Sequence, residues 1–175
     1  MDYRTLPHGG ERISVIGLGM GSIHAASTDE VVRTLHEALD AGVNYFDFVP
    51  SEASTFEGYA RAFKDRRDRA LFQVHLGADY TGGAYGWTTD AAVAIPQFEE
   101  RLRTLGTDYA DFGFIHCIDE DADFDAVMNG GIWDYACRMK QEGVVRHLGF
   151  STHSAHIARR FIATGVMDMG MFSLN

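Results

Sequence analysis

Cysteine is scarce in this chain. Cys117 and Cys137 are the only two in 175 residues. That is too few for a disulfide framework, so a reducing, cytoplasmic compartment is the simple expectation. Long apolar runs are missing as well. No stretch is long enough to span a bilayer. The first residues, Met1-Asp2-Tyr3-Arg4, lack the basic and then apolar pattern of a signal peptide. There is no basic cluster, and the formal net charge is −10. These features argue against nucleic acid or a membrane as partner. Low-complexity tracts and close internal repeats are also absent.

What remains is an ordinary globular composition. Hydrophobic residues make up 46% of the chain, and 175 residues are enough for one domain with a real core. The first twelve residues read as a hairpin with a Gly9-Gly10 turn. Ile13 to Met20 reads as the first buried strand. Ser27-Thr28-Asp29-Glu30 opens a helix with a capping-box pattern. Its inward stripe is Val31, Leu35, Ala38 and Leu39, and Gly42 ends it.

Polar residues then stand at the ends of successive strands. Asp47 closes the second, His75 the third, His116 the fourth, and Ser151 and His153 the fifth. Helical stretches intervene. One runs near Thr55 to Lys64, with Phe56, Ala60 and Phe63 inward. The next is capped by Thr89 or Asp90, with Phe98, Leu102 and Leu105 inward and Pro96 marking a kink or a later start. A third carries Ile132, Ala136 and Met139, and a fourth Ile157, Phe161 and Ile162. A sixth strand is expected from Met167 to Leu174.

The expected fold is α/β, a parallel (β/α)8 barrel type truncated after the sixth strand, with residues 1–175 as one partial barrel and residues 1–12 as its hairpin. Each strand–helix unit is roughly 30 residues, and the strands are apolar on both sides, as helix-covered parallel strands are. In such a fold the C-terminal strand ends share one face, which carries the chemistry. A doubly wound open sheet gives the same alternation. Its first strand, however, usually leads directly into a Gly-rich turn opening a helix. Here Gly17, Gly19 and Gly21 lie in and just after the strand, and the loop continues to Ser27.

At this point the sequence resembles the aldo/keto reductases. Tyr3-Arg4-Thr5-Leu6 is similar to that family's hairpin, and Ile16-Gly17-Leu18-Gly19-Met20 to its first strand. Gly42 to Asp47 resembles the segment with its catalytic aspartate. Leu102 to Asp111, followed by Ile115-His116, resembles the run into its active-site histidine. Glu142 to Ser151 resembles the run into its nicotinamide-binding serine. The match runs in order over essentially the whole chain. It implies a barrel binding NADP(H) without a Rossmann domain, and hydride transfer between that cofactor and a small carbonyl or alcohol substrate. Cofactor contacts are expected at Gly19, Met20, Gly21, Ser151, Thr152 and Met171. Of the family's aspartate, tyrosine, lysine and histidine, Asp47 and His116 match. His75 stands at the lysine position, and Glu52 where the tyrosine should follow Asp47.

The candidate catalytic set is therefore Asp47, His75, His116 and Glu52. An Asp47–His75 pair would replace the usual acid, with His116 polarising the carbonyl. Each residue also has a plainer reading. Asp47 could cap the next loop, His116 could be a core histidine, and Glu52 a solvated loop residue. Tyr59, Tyr80 and Tyr85 could each supply a phenol. Cys117 follows His116, so its side chain should point away into the core. The acidic run from Asp119 to Asp123 reads as a solvated loop without EF-hand spacing. Two other functions compete. Asp47, His75, His116 and His153 could form a nitrogen/oxygen metal site for hydrolysis or lyase chemistry, although the order of the flanking sequence argues against it and no metal ligand is assigned. Alternatively, a non-catalytic partial barrel would cover its open edges by oligomerising or by a missing C-terminal part.

Overall fold

The computed structural model describes residues 1–23 and 25–173. The chain opens with a hairpin of β1 (Tyr3–Thr5) and β2 (Arg12–Ser14), antiparallel with Tyr3 opposite Ser14. Gly9 and Gly10 take φ of 89° and 82° in its turn, a region that glycine enters without steric cost.

The hairpin runs two residues further than the sequence led us to expect, and the single first strand from Ile13 to Met20 is not formed. Ser14 is tied to Asn44 through Ser14 N–H to Oδ1 at 2.7 Å and Asn44 N–H to Ser14 Oγ at 3.1 Å. Val15 and Ile16 then pass through solvent. Only Leu18–Gly19 joins the main sheet, as β3. Met20–Ser22 forms a single 3-10 turn.

Next come α1 (Thr28–Asp40), β4 (Tyr45–Phe48), α2 (Thr55–Phe63), β5 (Leu71–Leu76), and a small antiparallel ribbon of β6 (Ala78–Asp79) and β7 (Gly86–Trp87). They are followed by α3 (Ala91–Leu105), β8 (Ala110–Ile115), α4 (Asp121–Asn129), α5 (Ile132–Glu142), β9 (Val145–Thr152), α6 (Ala155–Ala163) and β10 (Met169–Phe172). The expected end of the last strand at Leu174 lies outside the described residues.

Six strands form one parallel sheet in the order β10-β9-β8-β5-β4-β3. Each new strand is added beside the previous one of this sheet, with no reversal. A doubly wound sheet needs a reversal, so the barrel-type reading holds, with the sheet curled part-way round. The edge strands β3 and β10 are each paired on one side only among the described residues.

The helices form where local chemistry directs them. Ser27 and Glu30 make the expected capping box, and Val31, Leu35 and Leu39 are buried. Asp90 caps α3, and the helix runs through Pro96 without ending. The acidic run divides: Asp121 and Asp123 occupy the first turn of α4 rather than a loop, where negative charge meets the positive end of the helix dipole. Ile162 is exposed, and Ile157 and Phe161 alone make the expected inward stripe of α6. On the outer face of the sheet, Phe46, Phe48 and Phe72 pack edge-on against Phe63 of α2, with ring centroids 4.9 to 5.9 Å apart.

The N-terminal ends of the strands are closed by charge. Asp111, on β8 and 2% exposed, accepts from Arg67 at 2.8 Å, from Arg146 at 2.9 Å and from the Phe72 N–H at 2.9 Å. Glu11 of the hairpin meets His147 of β9 at 3.0 Å.

Candidate active site

Alternation along each parallel strand decides which side chains face the barrel interior. On β4 these are Tyr45 and Asp47, on β5 Gln73 and His75, on β8 Phe112 and Phe114, and on β9 His147, Gly149 and Ser151. The lower layer is packed: the Tyr45 and Phe112 rings meet edge-on at 5.5 Å, and Phe112 stacks on His147 at 5.4 Å. Phe114 lies across from Gly149, where a Cβ would come within 2.6 Å of its ring. That ring approaches His75 at 5.6 Å, so it forms a wall behind the imidazole.

Above this layer runs a hydrogen-bonded series. His75 Nε2 is 2.8 Å from Asp47 Oδ1. His75 Nδ1 is 2.8 Å from His116 Nδ1. His116 Nε2 is 2.6 Å from the Tyr85 hydroxyl. Gln73 Nε2 also lies 2.9 Å from His75 Nε2, and Gln73 Oε1 accepts from the Tyr45 hydroxyl. A proton on His75 Nε2 requires this amide to turn the other way, with its oxygen to the ring and its nitrogen to Tyr45. His75 and His116 are buried, Asp47 is one-fifth exposed, and Tyr85 reaches solvent. Burial, reinforced by positive charge on His75 and His153, pushes the His116 imidazole down to about 3. It is therefore neutral at ordinary pH. Burial, with Cys117 and Asp47, raises the Tyr85 phenol.

Asp47, His75 and His116 are thus brought together as expected, and Glu52 is not. Glu52 is exposed and lies outside the cavity lining. What its segment supplies is backbone. Glu52 bridges Ala84, the Ala53 N–H donates to the Gly83 carbonyl at 3.1 Å, and the Tyr85 N–H donates to the Ser51 carbonyl at 3.0 Å. This pairing and the β6–β7 ribbon fix Tyr85 over His116. Tyr59 and Tyr80 are buried in the core and do not line the cavity. The hydroxyl at His116 was legible only as one of three possible phenols.

The cavity at these strand ends has a volume of about 300 Å³, at the lower end of small-molecule sites. Besides Asp47, His75, Tyr85 and His116, it is lined by Cys117, Ser151, Thr152, His153 and the apolar Val49, Met171 and Phe172. Cys117 departs from its expected core position. Its φ of 50° breaks the alternation, its N–H donates to Ser151 Oγ at 2.8 Å, and it is half-buried at the cavity wall. Thr152 Oγ1 and the His153 N–H both donate to Asp119 Oδ1.

Met171, Ser151 and Thr152, expected from the sequence to contact the nicotinamide, all line this cavity. Gly19, Met20 and Gly21 do not line the cavity, and the Met20 side chain is 1% exposed in the core. Their expected cofactor contacts do not belong to the cavity as formed. The imagined metal set of Asp47, His75, His116 and His153 is not assembled either, because the facing imidazole nitrogens are already engaged with each other. Among the described residues, Cys117, Asp119 and His153 place one ligand-type atom each within 4.8 Å of one another, but both Asp119 oxygens are taken by Thr152 and His153.

Comparison with known proteins gives the chain's relatives. The model of the aldo/keto reductase family matches residues 15–173. L-glyceraldehyde 3-phosphate reductase of Escherichia coli K12 is 22% identical over 174 residues, covering 93% of this chain and 48% of its own length. L-galactose dehydrogenase of Arabidopsis thaliana is 29% identical over 162 residues, covering 86% and 48%. Among solved structures, the holo aldo-keto reductase AKR11C1 of Bacillus halodurans superposes with a TM-score of 0.82 at 23% identity, covering 99% of this chain and 58% of that one. An aldo/keto reductase of Klebsiella pneumoniae in complex with NADP and acetate gives 0.62 at 23% identity, covering 84% and 48%. The chain spans about half the length of these curated relatives.

Proposed function

The chain belongs to the aldo/keto reductase family, and from that premise we propose that it serves NADP(H)-linked oxidoreduction of a small carbonyl or alcohol at the Asp47–His75–His116 cavity. The observation that carries this reading is the hydrogen-bonded imidazole and carboxylate series at the strand ends, at 2.8 Å per link, beside the Ser151 and Met171 wall. When bound, NADP(H) supplies the hydride. Ser151 and Thr152 would hold the nicotinamide amide, and Met171 would pack on its ring.

The protein's own task is to bind the carbonyl, keep water away from it and move one proton. Phe114 fixes the His75 ring from behind, and Asp47 orients it from the side. A reducing cytoplasmic setting fits the two free thiols. The test is a titration with NADPH, following quenching of Trp87, whose ring lies 6.5 Å from Tyr85, together with NADPH consumption on small aldehydes. Quenching and turnover are expected, and His75→Ala should lower turnover about 100-fold or more, the usual scale of acid–base catalysis. Absence of both signals in the intact protein, or unchanged turnover in His75→Ala, would overturn the reading.

A further inference from the structure

Three hydrogen bonds join four titratable side chains in one line: Tyr85 to His116 at 2.6 Å, His116 to His75 at 2.8 Å and His75 to Asp47 at 2.8 Å. The line begins at a phenol on the cavity wall and ends at a carboxylate in the barrel interior. Each histidine uses both ring nitrogens within it, so neither offers a nitrogen to a substrate. His116 cannot polarise a carbonyl directly, because the Tyr85 hydroxyl occupies its Nε2.

We infer that Tyr85 is the proton donor to the substrate oxygen and that His116 and His75 form a relay recharging it from a proton held at the Asp47–His75 pair. This rests on the carbonyl-reduction reading above.

With the Gln73 amide oxygen turned to His75 Nε2, the chain of bonds has two self-consistent states. In the loaded state His75 carries protons on both nitrogens. Nε2–H donates to Asp47 and Nδ1–H to His116 Nδ1. His116 then holds its own proton on Nε2 and donates it to the Tyr85 oxygen, which leaves the phenolic O–H directed at the cavity. In the unloaded state His75 is neutral and keeps Nε2–H toward Asp47. His116 now donates from Nδ1 to His75, and the Tyr85 O–H turns inward to His116 Nε2. Only the first state presents an acid to a ligand.

The proton balance of one reduction follows directly. The Tyr85 O–H bond breaks and an O–H bond forms on the substrate oxygen as the reduced nicotinamide supplies the electron pair. The His116 Nε2 proton passes to the Tyr85 oxygen, and the His75 Nδ1 proton passes to His116 Nδ1. One proton has left His75 and one hydroxyl has been made. Run backwards, the same shuttle takes a proton from an alcohol and requires the unloaded state. His116, held neutral at ordinary pH, suits a relay that passes protons without storing them.

The other titratable groups facing this line are Cys117 and Tyr80 beside Tyr85, His153 beside His116, and Tyr45 beside Asp47. None of them stands between Tyr85 and Asp47 in the bonded series.

The experiment uses the full chain and Tyr85→Phe, which keeps the ring beside Trp87 and Tyr80 and removes only the hydroxyl. NADPH binding should be unchanged, and carbonyl turnover should fall about 100-fold or more. In the wild type, reduction should decline as pH rises and the store empties, while alcohol oxidation rises in mirror image. Asp47→Asn should flatten both profiles. A cofactor-free readout runs alongside: in protein labelled with ¹⁵N-histidine, Tyr85→Phe should shift the ring nitrogens of His116 and also displace the pH titration of His75, two bonds further along. An unmoved His75 titration would reduce Tyr85 to a local contact and overturn the relay. Wild-type turnover in Tyr85→Phe would overturn its role as donor. A wild type without NADPH-dependent turnover would instead overturn the redox reading, and the donor role with it, whatever the nitrogen shifts show.

Discussion

Asp111→Ala should destabilise the fold by about 4 kcal/mol. The carboxylate is 2% exposed and accepts three hydrogen bonds that tie β8 to β5, to β9 and to the turn before β5. The three are not equal. Arg146 is 48% exposed at its side chain, and such a pair contributes about 0–1 kcal/mol. Arg67 is 18% exposed, lies over the Phe72 and Tyr109 rings at 3.9 and 4.1 Å, and would be left as a buried cation. Breaking a buried pair costs about 3–5 kcal/mol. Because Arg67 keeps carbonyl acceptors at Ala70 and Tyr109, the lower end applies, about 3 kcal/mol. The Phe72 N–H also loses its carboxylate, adding about 1 kcal/mol or more.

Domains of this size are stable by only about 5–15 kcal/mol, so the loss is a large share of the total. With a urea m-value of about 2 kcal/mol/M, the midpoint should fall by about 2 M. Arg146→Ala should move it by less than about 0.5 M. A shift below about 0.5 M for Asp111→Ala itself would refute the reasoning, since it would mean that Arg67 does not depend on this partner. Replacing both members by apolar residues, Asp111→Leu with Arg67→Met, should recover most of the loss, because the cost lies in the orphaned charge rather than in the missing attraction.

Two further perturbations reach the site itself. Gly149→Ala places a Cβ within 2.6 Å of the Phe114 ring; overpacking of this kind costs about 1–3 kcal/mol, and pushing Phe114 toward His75 should lower turnover as well as the melting temperature. Adding Phe114→Leu should restore part of both, and a Gly149→Ala protein with wild-type melting would contradict the packing. Acidification should also weaken the fold through His116. In the folded protein this imidazole resists a proton until about pH 3, whereas an unfolded histidine takes one near 6.5. The unfolded chain therefore binds more protons between those values, and stability falls as pH drops, by up to about 1.4 kcal/mol per pH unit from this group. Urea midpoints at pH 7, 6 and 5 should decline less steeply in His116→Asn, and equal slopes would refute the assignment.

What could be seen in the sequence follows from how local each cause is. The buried strands ending at Asp47, His75, His116 and Ser151 were legible because helix-covered parallel strands are apolar on both faces. The start of α1 was legible because Ser27 and Glu30 satisfy each other's backbone within one turn. The strand from Ile13 to Met20 failed because its course is set by Asn44, some 30 residues downstream in the chain, and no apolar pattern reports that. Cys117 was misplaced by one backbone angle, since a single positive φ undoes the alternation used to orient it. Tyr85 was legible only as one of three possible phenols, with no local signal for its place. Its position depends on the pairing of residues 51–53 with 83–85, a contact between two loops whose own sequences carry no register signal. Strands therefore deliver Asp47 and His75, a strand end delivers His116, and a loop delivers the hydroxyl. Part of the site was visible in the sequence because the first three of those placements obey a periodicity. The residue inferred to face the substrate obeys none, which is why it emerged only from the fold.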